Sequence, residues 1–179
     1  ALAGHKVLYI DSLGLRGASG TKKDLRRIIK RLRKFLNSPR KYGERLWVIS
    51  PIVVPGITDG YLKWLNKMLL KLAVHYSSIK LGVRFNILWT YNPTTINYFD
   101  PCSFRKSLYH CVDDIASQPK MNGSKINELE EQTAARVDHV VVTTECLFDK
   151  MKNISKDIRI LPNVVDYLHF SNPTEEAIK

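Results

Sequence analysis

Two adjacent carboxylates, Asp113 and Asp114, close the run SLYHCVDD at residues 107–114. A carboxylate within hydrogen-bond reach of a bound hydroxyl can take its proton as a new bond forms. The same side chain at a strand end can instead bind turn amides, a common setting for Asp. Adjacent residues of an extended chain point to opposite sides. One acid is therefore expected to face a ligand and the other to cap the segment that follows. Asp113 is the expected base, with Asp114 close behind. The pair stands out because the chain carries a formal net charge of +11.

The pattern along the chain says what holds these acids. KVLYID (6–11), RLWVISP (45–51), FNILWTY (85–91), KSLYHCVDD (106–114), HVVVTT (139–144) and DIRILPN (157–163) read as strands. They are runs rich in Val, Ile and Leu, as in a parallel sheet flanked by helices. Helices are expected at TKKDLRRIIKRLRKFL (21–36), at 61–82, from about Ser124 to Arg136, and in the short ECLFDKMK stretch. Alternating strands and helices specify an α/β fold, a Rossmann-like doubly wound sheet that is mainly parallel. Ligands of such sheets sit in the crevice beyond the carboxyl ends of the strands. Asp11, Ser50, Tyr91-Asn92, Asp113-Asp114, Thr143-Thr144 and Asn163 stand at those ends, and all are polar.

Length and composition narrow the class. The 179 residues are enough for one domain with its own core, and 44% of them are hydrophobic. No apolar run reaches the length of a membrane span, and ALAGHKVLYID lacks the basic and apolar regions of a signal peptide. The three cysteines, Cys102, Cys111 and Cys146, form no Cys-x-x-Cys pair, and the five histidines are scattered. No metal site is expected, and the cysteines read as reduced and structural in a cytoplasmic protein. The positive charge is concentrated in Lys22, Lys23, Arg26, Arg27, Lys30, Arg31, Arg33 and Lys34. A field that dense attracts nucleic acid, anionic lipid or a phosphorylated ligand.

The order of motifs in the second half is familiar. ILWTYNP, LYHCVDDIASQP, VDHVVVTTECL (137–147) and PNVVDYLHF (162–170) resemble the N-terminal half of GT-B glycosyltransferases. The nearest likeness is to the family-four-like bacterial enzymes of cell-surface polysaccharide synthesis. The resemblance covers residues 80–170 well and the first 80 only in outline; Val164 stands where that family usually has Gly. It implies an acceptor-binding domain at 1–170, with 171–179 as interdomain linker. It also implies a preceding strand, and a following half that binds a nucleotide-sugar donor. No cofactor is implied within this half, and no metal is implied for transfer. The implied reaction moves a sugar from the nucleotide-sugar to a saccharide acceptor, which many such enzymes hold on a membrane lipid.

On that resemblance, Asp113 or Asp114 would deprotonate the acceptor hydroxyl in an inverting transfer; a retaining enzyme would not need this base. Tyr91, Asn92 and Thr94 would line the acceptor site, or form a plain Asn-Pro turn. His110 would bind acceptor or pack within the strand. Arg16 would meet an acceptor phosphate or stay solvated. Thr143 and Asn163 would face the interdomain cleft. Lys22, Lys23, Arg26, Arg27, Lys30, Arg31 and Lys34 would meet an anionic membrane surface, making the protein peripheral to the cytoplasmic membrane. Residues 61–72, with Trp64, fit the same surface or pack on the sheet. Two other classes remain. One is a basic nucleic-acid-binding module, although no RNA-recognition aromatic platform, helix-turn-helix or zinc finger is present. The other is a nucleotide-binding Rossmann enzyme fragment, although no Gly-x-Gly-x-x-Gly occurs.

Overall fold

The computed structural model describes residues 4–11, 39–51, 60–119 and 121–164. Arg16, the basic run at 21–36 and the linker at 171–179 lie outside the described residues. A first sheet joins β1 (Val7–Ile10) in parallel to β3 (Leu46–Ile49), with the two-residue β2 (Arg40–Lys41) antiparallel on the far side of β3. The second sheet is all parallel, in the order β4 (Ile87–Thr90), β5 (Lys106–Cys111), β6 (His139–Val142) and β7 (Ile158–Ile160). All six expected strands are present, each shorter than the apolar run that announced it. β2 was not legible because two exposed charged residues carry no hydrophobic period.

Among the described residues, three α-helices connect the strands: α1 (Gly60–Leu81), α2 (Gly123–Arg136) and α3 (Glu145–Met151). Gly82 ends α1 at φ +60°, a left-handed conformation that L side chains rarely adopt. Its N–H donates to the Ile79 carbonyl and that of Val83 to Ser78, a Schellman cap that satisfies the last carbonyls of the helix. Asn122 caps α2 by accepting from the Lys125 N–H at 3.2 Å, and the Thr144 hydroxyl caps α3 by accepting from Leu147 N–H.

The strand register places the core. Leu88 sits opposite Ser107 and Thr90 opposite Tyr109, so Leu88, Tyr109 and Cys111 share one face with Val140 and Val142. Ala134 of α2 and Leu147 and Met151 of α3 pack on that face. Leu70 and Val74 of α1 meet Leu88 there, together with Tyr98, Phe99, Phe104 and Ile10 of β1. The cluster around Leu70 thus joins the two sheets through side chains. The stepwise β4-β5-β6-β7 order fits crossovers of one hand that deliver their helices to a single face. On the opposite face of β4, Ile87 and Trp89 are exposed, so the fully buried strand expected from FNILWTY holds for one face only.

The chain leaving β4 and β5 does not continue extended. Asn92-Pro93 and Asp100-Pro101 each open a 3-10 turn, at Pro93–Asn97 and Pro101–Ser103. In each, the residue before proline accepts a hydrogen bond from the backbone N–H two positions on. Strand β5 stops at Cys111, short of the expected 114, and a 3-10 turn at Ile115–Ser117 follows. Gly123 presses the start of α2 against that turn. A Cβ there would stand 2.9 Å from the Ala116 carbonyl oxygen, so a larger residue would push the turn away.

Candidate functional site

Because β4 to β7 are parallel, their carboxyl ends lie along one edge. An open pocket of about 240 Å³ lies there, lined by Tyr91, Val112, Asp113, Ile115 and Gln118. Tyr91 follows β4 directly, and Asp113 stands two residues beyond β5. The Asp113 carbonyl accepts from the Ile115 N–H at 3.0 Å and from the Cys111 thiol at 3.6 Å, which ties its backbone to the turn. Its side chain is exposed and makes no hydrogen bond or ion pair to the described residues.

Asp114 is engaged instead. It accepts from the Ser117 hydroxyl within the turn and pairs with the Lys150 ammonium of α3 at 3.3 Å. The Ser117 hydrogen bond first, and then Lys150, hold its carboxyl below the usual carboxylate range. Lys150 also reaches Glu130 of α2 at 2.8 Å and the Asn127 amide oxygen at 2.9 Å. Burial opposes the charge of Lys150, yet the pull of Glu130 and Asp114 wins and its pKa is raised. Glu130 is 1% exposed, and its other oxygen accepts from the Tyr109 hydroxyl at 3.1 Å. Burial pushes the Tyr109 phenol well above its ordinary value and the neighbouring Cys111 thiol up to about 11. Both stay protonated at neutral pH, so neither supplies a nucleophile there.

This network was missed by sequence reasoning. One signal was present. Glu130 falls inside the helical stripe Ile126, Leu129, Thr133 and Ala134, all buried, where an acid requires a cation. Nothing local pointed to Lys150, 20 residues further along.

The remaining candidates divide. The ring of His110 leans on Tyr91 and Trp89, at centroid distances of 5.0 and 6.0 Å. Both of its nitrogens are buried without a hydrogen-bond partner among the described residues, and burial lowers its pKa. It stands neutral, as part of an aromatic shelf whose outer members, Trp89 and Tyr91, are 58% and 52% exposed. Asn92 accepts from the N–H and the hydroxyl of Thr94, both at 2.9 Å, and Thr94 is buried, so this pair shapes the loop behind Tyr91. Thr143 is buried too and donates its hydroxyl to the Val112 carbonyl at 2.8 Å, locking the end of β6 to the residue before Asp113. Asn163 is exposed beyond β7. Asp11 accepts from the Ser50 hydroxyl at 3.1 Å, which joins the ends of β1 and β3. Arg16 and the basic residues from Lys22 to Lys34 lie outside the described residues.

Among the described residues, no group of three or more His, Cys, Asp or Glu is placed to hold a metal ion. None of the described helices is long and apolar enough to cross a membrane. No protein-family model matches the chain, and no curated protein matches it. A solved structure of sucrose-phosphate synthase from Thermosynechococcus elongatus is similar in fold, with a TM-score of 0.50, 13% sequence identity and 92% of each chain covered. At that identity the likeness establishes architecture. The chain has an α/β fold with a four-stranded all-parallel sheet and flanking helices, matching one half of a GT-B fold.

Proposed function

We propose that this chain is the acceptor-binding half of a glycosyltransferase, and that Asp113 is the base that activates the acceptor hydroxyl. The observation carrying this reading is the Asp113 carboxylate, unengaged by the described residues, at the carboxyl edge of a parallel sheet, in a pocket it shares with Tyr91. A hydroxyl is a poor nucleophile at neutral pH. As its oxygen bonds to the anomeric carbon, its proton passes to Asp113 while the bond to the nucleoside diphosphate breaks and that group leaves with the electron pair. The donor would be a nucleotide-sugar held by a second α/β half, and no cofactor is assigned to this half.

The aromatic shelf suits a saccharide acceptor. A pyranose ring has an apolar face of C–H bonds and a rim of hydroxyls. Tyr91 and Trp89 offer exposed ring surface, and Asp113 an acceptor for one hydroxyl. A lipid-linked saccharide in cell-surface polysaccharide synthesis, the acceptor class suggested by the motif resemblance, presents this chemistry. The fold likeness to sucrose-phosphate synthase supports sugar transfer in general and leaves the acceptor to experiment.

The test is transfer of radiolabelled sugar from a panel of nucleotide-sugars to saccharide acceptors by the full-length protein. Asp113→Asn should lower turnover by about 100- to 1000-fold with its folding intact. Undiminished turnover in Asp113→Asn would overturn Asp113 as the base, and failure to transfer any sugar would overturn the class.

A further inference from the structure

Among the described residues, helix α1 packs one face on the fold and leaves an apolar face turned outward. Asn66, Leu70, Ala73 and Ser77 are buried against the body of the protein. On the far side, Tyr61, Trp64, Met68, Leu72, Tyr76 and Ile79 follow one another at steps of three and four residues, which places them on one stripe. Each is between 46% and 71% exposed. The stripe runs about 27 Å along the helix. A row of large apolar side chains aimed at solvent, with the exposed His75 among them, marks an interaction surface.

Charge identifies the partner. Lys67 and Lys71 step along one margin of the stripe, while the half-buried Lys63 stands on the side of Asn66 and Leu70; Lys80 lies on the other margin near Tyr76, its ammonium 5.8 Å from the ring centre. The sequence contains no acidic residue between Asp59 and Asp100. Protein–protein interfaces are depleted in lysine at their centres. An apolar stripe bordered by lysines along an acid-free helix suits a surface that is apolar within and anionic at its boundary. Trp64 and Tyr61, stacked at 5.7 Å, add the amphipathic rings favoured at the headgroup level.

We infer that the outward face of α1 is a docking surface for an anionic lipid bilayer, with the helix lying in the plane of the interface and its lysines at the phosphates. The apolar stripe enters the acyl boundary, and Lys67, Lys71 and Lys80 stay with the headgroups. The inference stands apart from sugar transfer, because it rests on α1 alone and its test requires no activity.

Co-sedimentation of the chain with vesicles tests it, comparing phosphatidylcholine alone with phosphatidylcholine containing about a third phosphatidylglycerol. The chain should bind the anionic vesicles and leave them as salt is raised. Trp64→Ser/Met68→Ser/Leu72→Ser, all at exposed positions, should weaken binding by more than about tenfold with unchanged helicity by circular dichroism. Lys67→Gln/Lys71→Gln/Lys80→Gln should weaken it by on the order of 100-fold. In a Trp47→Phe/Trp89→Phe background, the emission of Trp64 should shift to the blue on adding anionic vesicles. Equal binding to neutral vesicles would overturn the proposal, as would no binding to anionic ones. Unchanged binding of the serine variant would assign the contact to another segment and overturn it equally. A dimer dispersed by the serine substitutions would show that a second copy covers the stripe, which also contradicts the proposal.

Discussion

On one side of the β5 terminus, Asp113 stands in an open pocket beside Tyr91 and Gln118 with its carboxylate unengaged by the described residues. On the other side, Asp114 is bound to Ser117 and to Lys150, which is itself bound to the buried Glu130. The two acids are chain neighbours of one residue type. The difference arises because the strand ends at Cys111 and the turn at Ile115–Ser117 directs one side chain to the edge of the sheet and the other toward α2 and α3. Position in a sequence nominates a carboxylate for chemistry, and the hydrogen bonds it already makes decide whether it is free to do any.

The comparison can be broken at several depths. Asp113→Asn should have the largest effect, the loss of turnover described above, because it removes the only proposed proton acceptor. Next comes Lys150→Ala. It leaves Glu130, 1% exposed, without its cation, and should cost about 3 kcal/mol of stability, near the low end for breaking a buried pair because Lys150 itself is 33% exposed. Urea denaturation would read this as a lowered midpoint at constant slope. Thr143→Val removes the hydroxyl that donates to the Val112 carbonyl and should cost about 1 kcal/mol on the same assay.

The smallest effect is the pH dependence of the Asp114 contact. Its native pKa is depressed, so its contribution is present above the ordinary carboxylate pKa and is lost as pH falls through the native value. Exposure and screening limit it to about 0.5 kcal/mol. The midpoints of wild type and Asp114→Asn should therefore differ slightly at neutral pH and converge in acid. A gap that widened in acid would reverse the assignment of Asp114 as the engaged partner.

The α/β class was legible because apolar runs and helical periods are local properties, and six of the seven described strands and the three described α-helices follow from them. The position of Asp113 and Asp114 at the sheet edge was readable for the same reason. Their division of labour was not, since it depends on Lys150 arriving from α3 across the packed core. Thr94 was nominated for the acceptor site or for a plain Asn-Pro turn, and Thr143 for the interdomain cleft. Their hydroxyls are engaged inside the fold, with Asn92 and with the Val112 carbonyl, as the turn reading of Thr94 expects. Helix α1 was legible as a helix at 61–82; which of its faces the core would cover required the sheet to be in place.

The most direct test of the account places Asp113→Asn and Asp114→Asn side by side, with turnover and urea midpoint measured on the same preparations of the full-length protein. The account predicts a crossing pattern. Asp113→Asn should lose turnover and keep its midpoint, while Asp114→Asn should keep most of its turnover and lose a little stability. The opposite pattern, or equal loss of turnover in both, would contradict the claim that one acid is free for chemistry because its neighbour is bound to the fold.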